Sequence, residues 1–145
     1  LVLEPGRFLV GDSTIFVSSV VNVKEMYGRR VVILDGSSDM VTIDRHEVPL
    51  NLGIFPEREG SVKTAIAGNF CHSADWISEK PREVPEVKLG DLFLFYKSGS
   101  YVMNHNIPYN MRKIPNVVSV DGDRLKSEDH PFQLIQKVGG AYSTD

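Results

Sequence analysis

The sequence predicts a mainly-β domain, a Greek-key barrel or sandwich with a few short helices. Three observations carry that prediction. Short runs rich in Val, Ile, Phe and Thr recur along the chain, bounded by Gly, Pro, Asn and Asp. No window sustains the 3.6-residue apolar period of a helix longer than two or three turns. Most links between the runs are too long for tight hairpins, so sequential strands need not be neighbours in the sheet.

From Thr14 to Val23 the chain has the β-branched character of a pleated surface, and the polar "GRR" at 28–30 stops it. "VVILDG" follows, a continuous apolar run that fits a strand covered on both faces. "SVKTAIAG" and "DLFLFYK" read the same way. "NVVSVDGDRLKSE" reads as a hairpin with Asp121-Gly122 in its turn. "PFQLIQKV" is a last strand, and the tail "GGAYSTD" is a frayed end. Short helices fit best at "SADWIS" and "YVMNHN". The stretch "SEKPREVPEVKLGD", with two prolines among acidic residues, reads as a surface loop.

Composition narrows the function classes. Charged residues make up 24% of the chain and sum to −3, which leaves no basic stripe for nucleic acid and no polybasic membrane patch. No apolar run reaches the roughly 20 residues of a membrane helix. The single cysteine, Cys71, excludes a disulfide within this chain and suits a reducing, cytoplasmic compartment.

Four local constellations carry candidate chemistry. In "EPGR" a Pro-Gly turn separates Glu4 from Arg7; it reads either as a strand-end turn with a surface ion pair or as a holder for a small anion at Arg7 and a cationic nitrogen at Glu4. In "NFCHSAD", Cys71 and His72 are too few for a metal site. Cys71 there is either a buried small hydrophobe or a reactive thiol. Tyr101, after Gly99-Ser100, is either a core aromatic or a phenol reaching a phosphate. Asp35 ends an apolar strand just before a glycine, where an aspartate caps a turn or faces a site.

Taken in order, "EPGRFLVGDS" at 4–13, the strand ending Asp35-Gly36, "GNFCHSAD" at 68–75 and "KLGDLFLFYKSGSY" at 88–101 resemble the C-terminal part of the fold-type III, pyridoxal-phosphate-dependent decarboxylases, the family of diaminopimelate and ornithine decarboxylases. The resemblance implies that 1–145 is a single C-terminal β-domain, with 1–10 the crossover from a missing N-terminal β/α barrel that holds the Schiff-base lysine. It implies pyridoxal 5′-phosphate as cofactor, an amino-acid substrate, a homodimer with shared active sites, and inactivity of this part alone.

Residue by residue, Glu4 resembles the acid that faces the pyridine nitrogen, and Arg7 and Tyr101 resemble residues at the phosphate. Cys71 resembles the cysteine that reaches the neighbouring subunit's site and returns a proton to the carbon that loses carbon dioxide. Asp35, His72 and Asp75 match positions at or near the substrate's distal end, and Asn110 in "PYN" matches an asparagine of the last site segment. Two departures stand out. The family usually carries Glu or Asp where His72 stands, and Arg45 lacks the Arg-Pro pairing of diaminopimelate-type enzymes. An imidazole is a poor partner for an ammonium, so the substrate would differ from plain lysine or ornithine: diaminopimelate-like, or a siderophore or antibiotic precursor. A non-catalytic regulatory homologue and a stand-alone β-barrel interaction module are the alternative readings.

Overall fold

A computed structural model describes residues 1–41, 51–106 and 108–128. Arg45, the strand expected at 131–138 and the frayed end lie outside the described residues. Among the described residues eight strands follow one another: β1 Phe16–Met26, β2 Arg29–Leu34, β3 Leu52–Phe55, β4 Val62–Ala67, β5 Trp76–Val84, β6 Leu92–Phe95, β7 Val117–Asp121 and β8 Arg124–Glu128. The first six form one sheet in the order β3-β6-β1-β2-β4-β5, and β7-β8 form a separate hairpin. The domain is mainly β, as the sequence predicts.

β1 and β2 join through a two-residue turn, Tyr27-Gly28, with both φ values positive (54° and 71°). A connection that tight needs this left-handed backbone, and Gly28 supplies it without strain. Opposite Val20 and Asn22 the register slips, so Val21 is the extra residue of a bulge. The bulge resets the alternation: Val20 faces the core and so does Val23, three residues on.

β2 pairs antiparallel with β1 and parallel with β4. Val31 and Val32 are both buried, as are Thr64, Ala65 and Ile66 in succession, the mark of strands covered on both faces. All six strands contribute to one apolar cluster, including Val20, Leu34, Ile54, Ile66, Ile77, Phe93 and Phe95. A single sheet whose every strand meets one core must curl on itself as a half-barrel. Phe95 anchors it, stacked on Phe16 at 6.0 Å and on Phe93 at 6.1 Å.

Four local expectations change or sharpen. Ser78–Val84 is not loop but the greater part of β5, an edge strand. Its partners run from Thr64↔Arg82 to Ile66↔Ser78, so Glu79, Lys80 and Pro81 fall in an irregularity where Pro81 owes no ladder hydrogen bond. "SADWIS" is a turn leading into β5 rather than a helix, because Trp76 pairs with Ala67. "YVMNHN" holds one 3-10 turn, Met103–His105. In the β7-β8 hairpin the central pair is Gly122-Asp123, one residue later than the sequence suggests, since Asp121 is paired with Arg124. No helix among the described residues is long and apolar enough to cross a membrane.

Candidate functional site

The candidate residues sit on the loops at the strand ends, in two neighbourhoods. The first is built by 4–14 against 97–101. Glu4 is exposed in the extended lead-in. At Gly6 the chain turns into a one-turn helix, α1 Arg7–Val10, opened by Leu9 N–H donating to Gly6 C=O at 3.0 Å. This segment is tied to the other by Ser98 N–H to Thr14 C=O and Gly99 N–H to Gly11 C=O, both 3.0 Å. The approach is so close that a β-carbon on Gly99 would run into the Val10 carbonyl and the Ser13 hydroxyl.

Tyr101 is thereby delivered to the EPGR turn. A β-carbon at Gly6 would lie 2.8 Å from its hydroxyl, and the Arg7 guanidinium sits 5.8 Å from its ring centroid. Tyr101 is 44% exposed and has φ +64°, so it is not the core aromatic that a tyrosine after a strand suggests by default. The pair presents a forked cation beside a phenol, the donor set an organic phosphate takes.

The second neighbourhood gathers around the end of β2. Asp35 Oδ1 accepts from Ser18 Oγ at 2.6 Å and from Ser19 N–H at 2.8 Å. Ser18 Oγ in turn accepts from Gly36 N–H at 2.9 Å. Asp35 thus caps the turn with one oxygen while remaining exposed. Its carbonyl accepts from Asn69 Nδ2 at 2.8 Å, which ties it to the 68–75 loop.

Asp75, expected near the substrate's distal end, is instead buried at 7% exposure. Its two carboxylate oxygens accept from the backbone N–H of Ser38 and of Phe70, both at 2.8 Å. Those bonds engage both of its oxygens in holding the loop. Beside it, burial raises Asp39 above the ordinary carboxylate range; a hydrogen bond from Ser37 opposes the rise and the Asp75 charge adds to it.

Cys71 is exposed, which excludes the buried-hydrophobe reading, and it holds φ +54°. His72 Nδ1 accepts from Ala74 N–H at 3.1 Å, leaving Nε2 as the ring's outward donor. The His72 ring meets Tyr109 edge-on at 6.2 Å, and Tyr109 stacks on Phe70 at 5.3 Å. Asn110 Nδ2 donates to Phe70 C=O at 3.0 Å. Ser18, Asn69 and Tyr109 are absent from the sequence-based set. Nothing in "VSSVV" marks Ser18, whereas Tyr109 adjoins the Asn110 already singled out.

A cleft of about 1160 Å³ opens beside Asp35, between residues 12–17 of the sheet side and 117–120 of the hairpin, with Asn106 and Lys113 in its wall. Glu4, Arg7, Cys71, His72 and Tyr101 do not line it. The structure therefore joins Arg7 to Tyr101, and Asp35 to the Cys71 loop, and Asn110 to that same loop.

Residues 8–99 match the family model described as pyridoxal-dependent decarboxylase, C-terminal sheet domain. The chain is 31% identical over 140 residues to a diaminopimelate decarboxylase of Buchnera aphidicola from Acyrthosiphon pisum, covering 86% of this chain and 34% of that protein. Among solved structures, a diaminopimelate decarboxylase aligns over 93% of this chain and 36% of its own, with a TM-score of 0.77 at 25% identity. A second, from M. jannaschii in co-complex with L-lysine, aligns over 92% of this chain and 32% of its own, with a TM-score of 0.75 at 26% identity. The chain spans about a third of the length of the relatives it matches.

Proposed function

Because this chain belongs to the pyridoxal-dependent decarboxylases, as their C-terminal sheet domain, we propose that it completes the active site of a pyridoxal-phosphate-dependent amino-acid decarboxylase that works as a homodimer. The observation that carries the reading is the pairing of a half-buried Arg7 with the exposed Tyr101 at the EPGR turn. A guanidinium and a phenol held together at the surface suit the phosphate of the cofactor. Glu4, three residues before Arg7, would face the ring nitrogen. When bound, the cofactor supplies an electron sink for the pair left on the carbon that loses carbon dioxide. Cys71 supplies the proton to that carbon, as an exposed thiol on an anchored loop. Cys71 is read as the group that reaches the partner subunit's site, so the site would be completed across two subunits.

The same geometry bears on the substrate. With His72 Nδ1 committed to Ala74 N–H, the ring offers a donor rather than an acceptor. A donor favours a distal carboxylate or another acceptor over a bare ammonium. Diaminopimelate carries such a carboxylate and lysine and ornithine do not.

The test is carbon dioxide release by the full-length protein with pyridoxal phosphate. The panel is diaminopimelate, lysine, ornithine, arginine and larger carboxylated diamines, with Arg7→Met and Cys71→Ala alongside. Turnover of a distally carboxylated substrate is expected. Arg7→Met raises the cofactor concentration needed for half-maximal activity by ~10-fold or more, and Cys71→Ala lowers the yield of correctly protonated amine. Absence of both turnover and cofactor binding would place the protein among non-catalytic relatives.

A further inference from the structure

The backbone of both residues flanking Cys71, Phe70 and His72, is held, and the holding is shared between its own loop and a segment nearly 40 residues away. On the loop side, Asp75 Oδ2 accepts from Phe70 N–H at 2.8 Å and Asp75 N–H donates to His72 C=O at 3.0 Å. From the distant segment, Asn110 Nδ2 donates to Phe70 C=O at 3.0 Å, the carbonyl of the peptide that leads into Cys71. Rotation of that peptide sets φ of Cys71, and its value of +54° is one that a cysteine adopts at a conformational cost. Tyr109 touches both neighbours of the thiol at once, its face on Phe70 and an edge contact with His72.

Asn110 is itself left-handed, at φ 50° and ψ 36°, followed by Met111 at φ 60°. Asparagine tolerates that region better than other side-chain-bearing residues. Two successive left-handed residues make sense if the segment is shaped to aim the Asn110 amide at Phe70. Asn110 is exposed, so its contribution to the core is small.

We propose that Tyr109 and Asn110 are positioning residues that fix the Cys71 thiol in its left-handed presentation, so that its proton is delivered to one place. The proposal rests on the reading of Cys71 as the proton donor. Neither residue touches the reacting atoms; both act through the Phe70–His72 backbone.

Asn110→Asp keeps size and left-handed tolerance but removes the donor, and Asn110→Gly removes the amide without adding charge. In the full-length protein with its best substrate, each variant is expected to lower kcat by ~10-fold or more with KM changed less than about twofold. In a Cys71→Ala background the same changes are expected to cost nothing further. The rate of alkylation of Cys71 by iodoacetamide, read by mass spectrometry on the native protein, is expected to change several-fold in either variant. Equal losses in the presence and absence of the thiol would overturn the proposal, as would an unchanged alkylation rate. If Cys71→Ala leaves both turnover and the yield of correctly protonated amine intact, the proton-donor reading fails and the alkylation rate alone decides whether the clamp exists.

Discussion

The sheet and its rim solve different problems. In the sheet, residues are chosen for what they bury: Val32, Leu34, Ile66 and Phe93 are fully enclosed. At the rim, residues are chosen for how they are presented. Among the described residues, the non-glycine ones with positive φ are Tyr27, Cys71, Lys97, Tyr101, Asn110 and Met111, and of these only Tyr27 belongs to a strand turn. The others flank or form the candidate site. Left-handed backbone disfavours ordinary side chains, so its concentration at one end signals geometry held for a purpose other than stability. The sheet is the source of the free energy that tolerates it.

Breaking the sheet is expected to have the largest effect. Phe93→Ala empties a fully buried position between Phe95 and the β1 side of the core, and costs about 3–5 kcal/mol. Hydrogen exchange of the full-length protein reads it as loss of protection across β1, β3 and β6 together. Protection lost at β6 alone would mean that the six strands do not share one cooperative core.

Next comes the rim. Asp75→Ala removes a buried carboxylate and orphans the N–H groups of Ser38 and Phe70, at about 2–3 kcal/mol. Here exchange accelerates at 68–76 and around Ser38, while β6 keeps its protection. A uniform loss over the sheet would erase the distinction between the two regions.

The smallest effect is electrostatic and lies on the sheet side. The Arg58 guanidinium grips Asp91 through two bonds, Nη2 to Oδ1 at 2.9 Å and Nη1 to Oδ2, and Lys88 N–H adds a third. The hydrogen bond from Arg58 holds Asp91 below the ordinary carboxylate range, against the opposing pull of burial. Asp91 therefore binds its proton less readily folded than unfolded. The stability it contributes is complete above the unfolded value of about 3.9 and is lost as pH falls through the lower folded one. Thermal unfolding followed below about pH 5 should show Arg58→Met losing less stability on acidification than the unaltered protein. Parallel acid limbs would exclude the pair as a contributor.

Legibility followed the same division. β1, β2, β4, β6 and the β7-β8 hairpin are visible in the sequence because burial writes itself in apolar runs. β5 is not, because an edge strand tolerates Pro81 and charged residues that elsewhere mean loop. β3 is only four residues long, Leu52–Phe55, too short for a period to show. At the site, single residues were readable through their order along the chain, and so were Arg7, Tyr101, Cys71 and Asp35 as candidates. What could not be read was which acid is committed. Asp35 and Asp75 look alike in sequence, yet one keeps an exposed carboxylate and the other spends both oxygens on backbone N–H groups. Such commitments are set by loop closure between residues far apart, as Ser38 and Asp75 are, and no local pattern records them.

The contact at Gly99 has a consequence for recombination. The segments 6–14 and 97–101 are fitted to each other's backbone with no room for one added carbon, so they form one part although most of the sheet separates them in sequence. A chimera that exchanges the first fifteen residues for those of a relative exchanges half of that part. The half left behind, around Gly99, is the one that decides whether the graft seats.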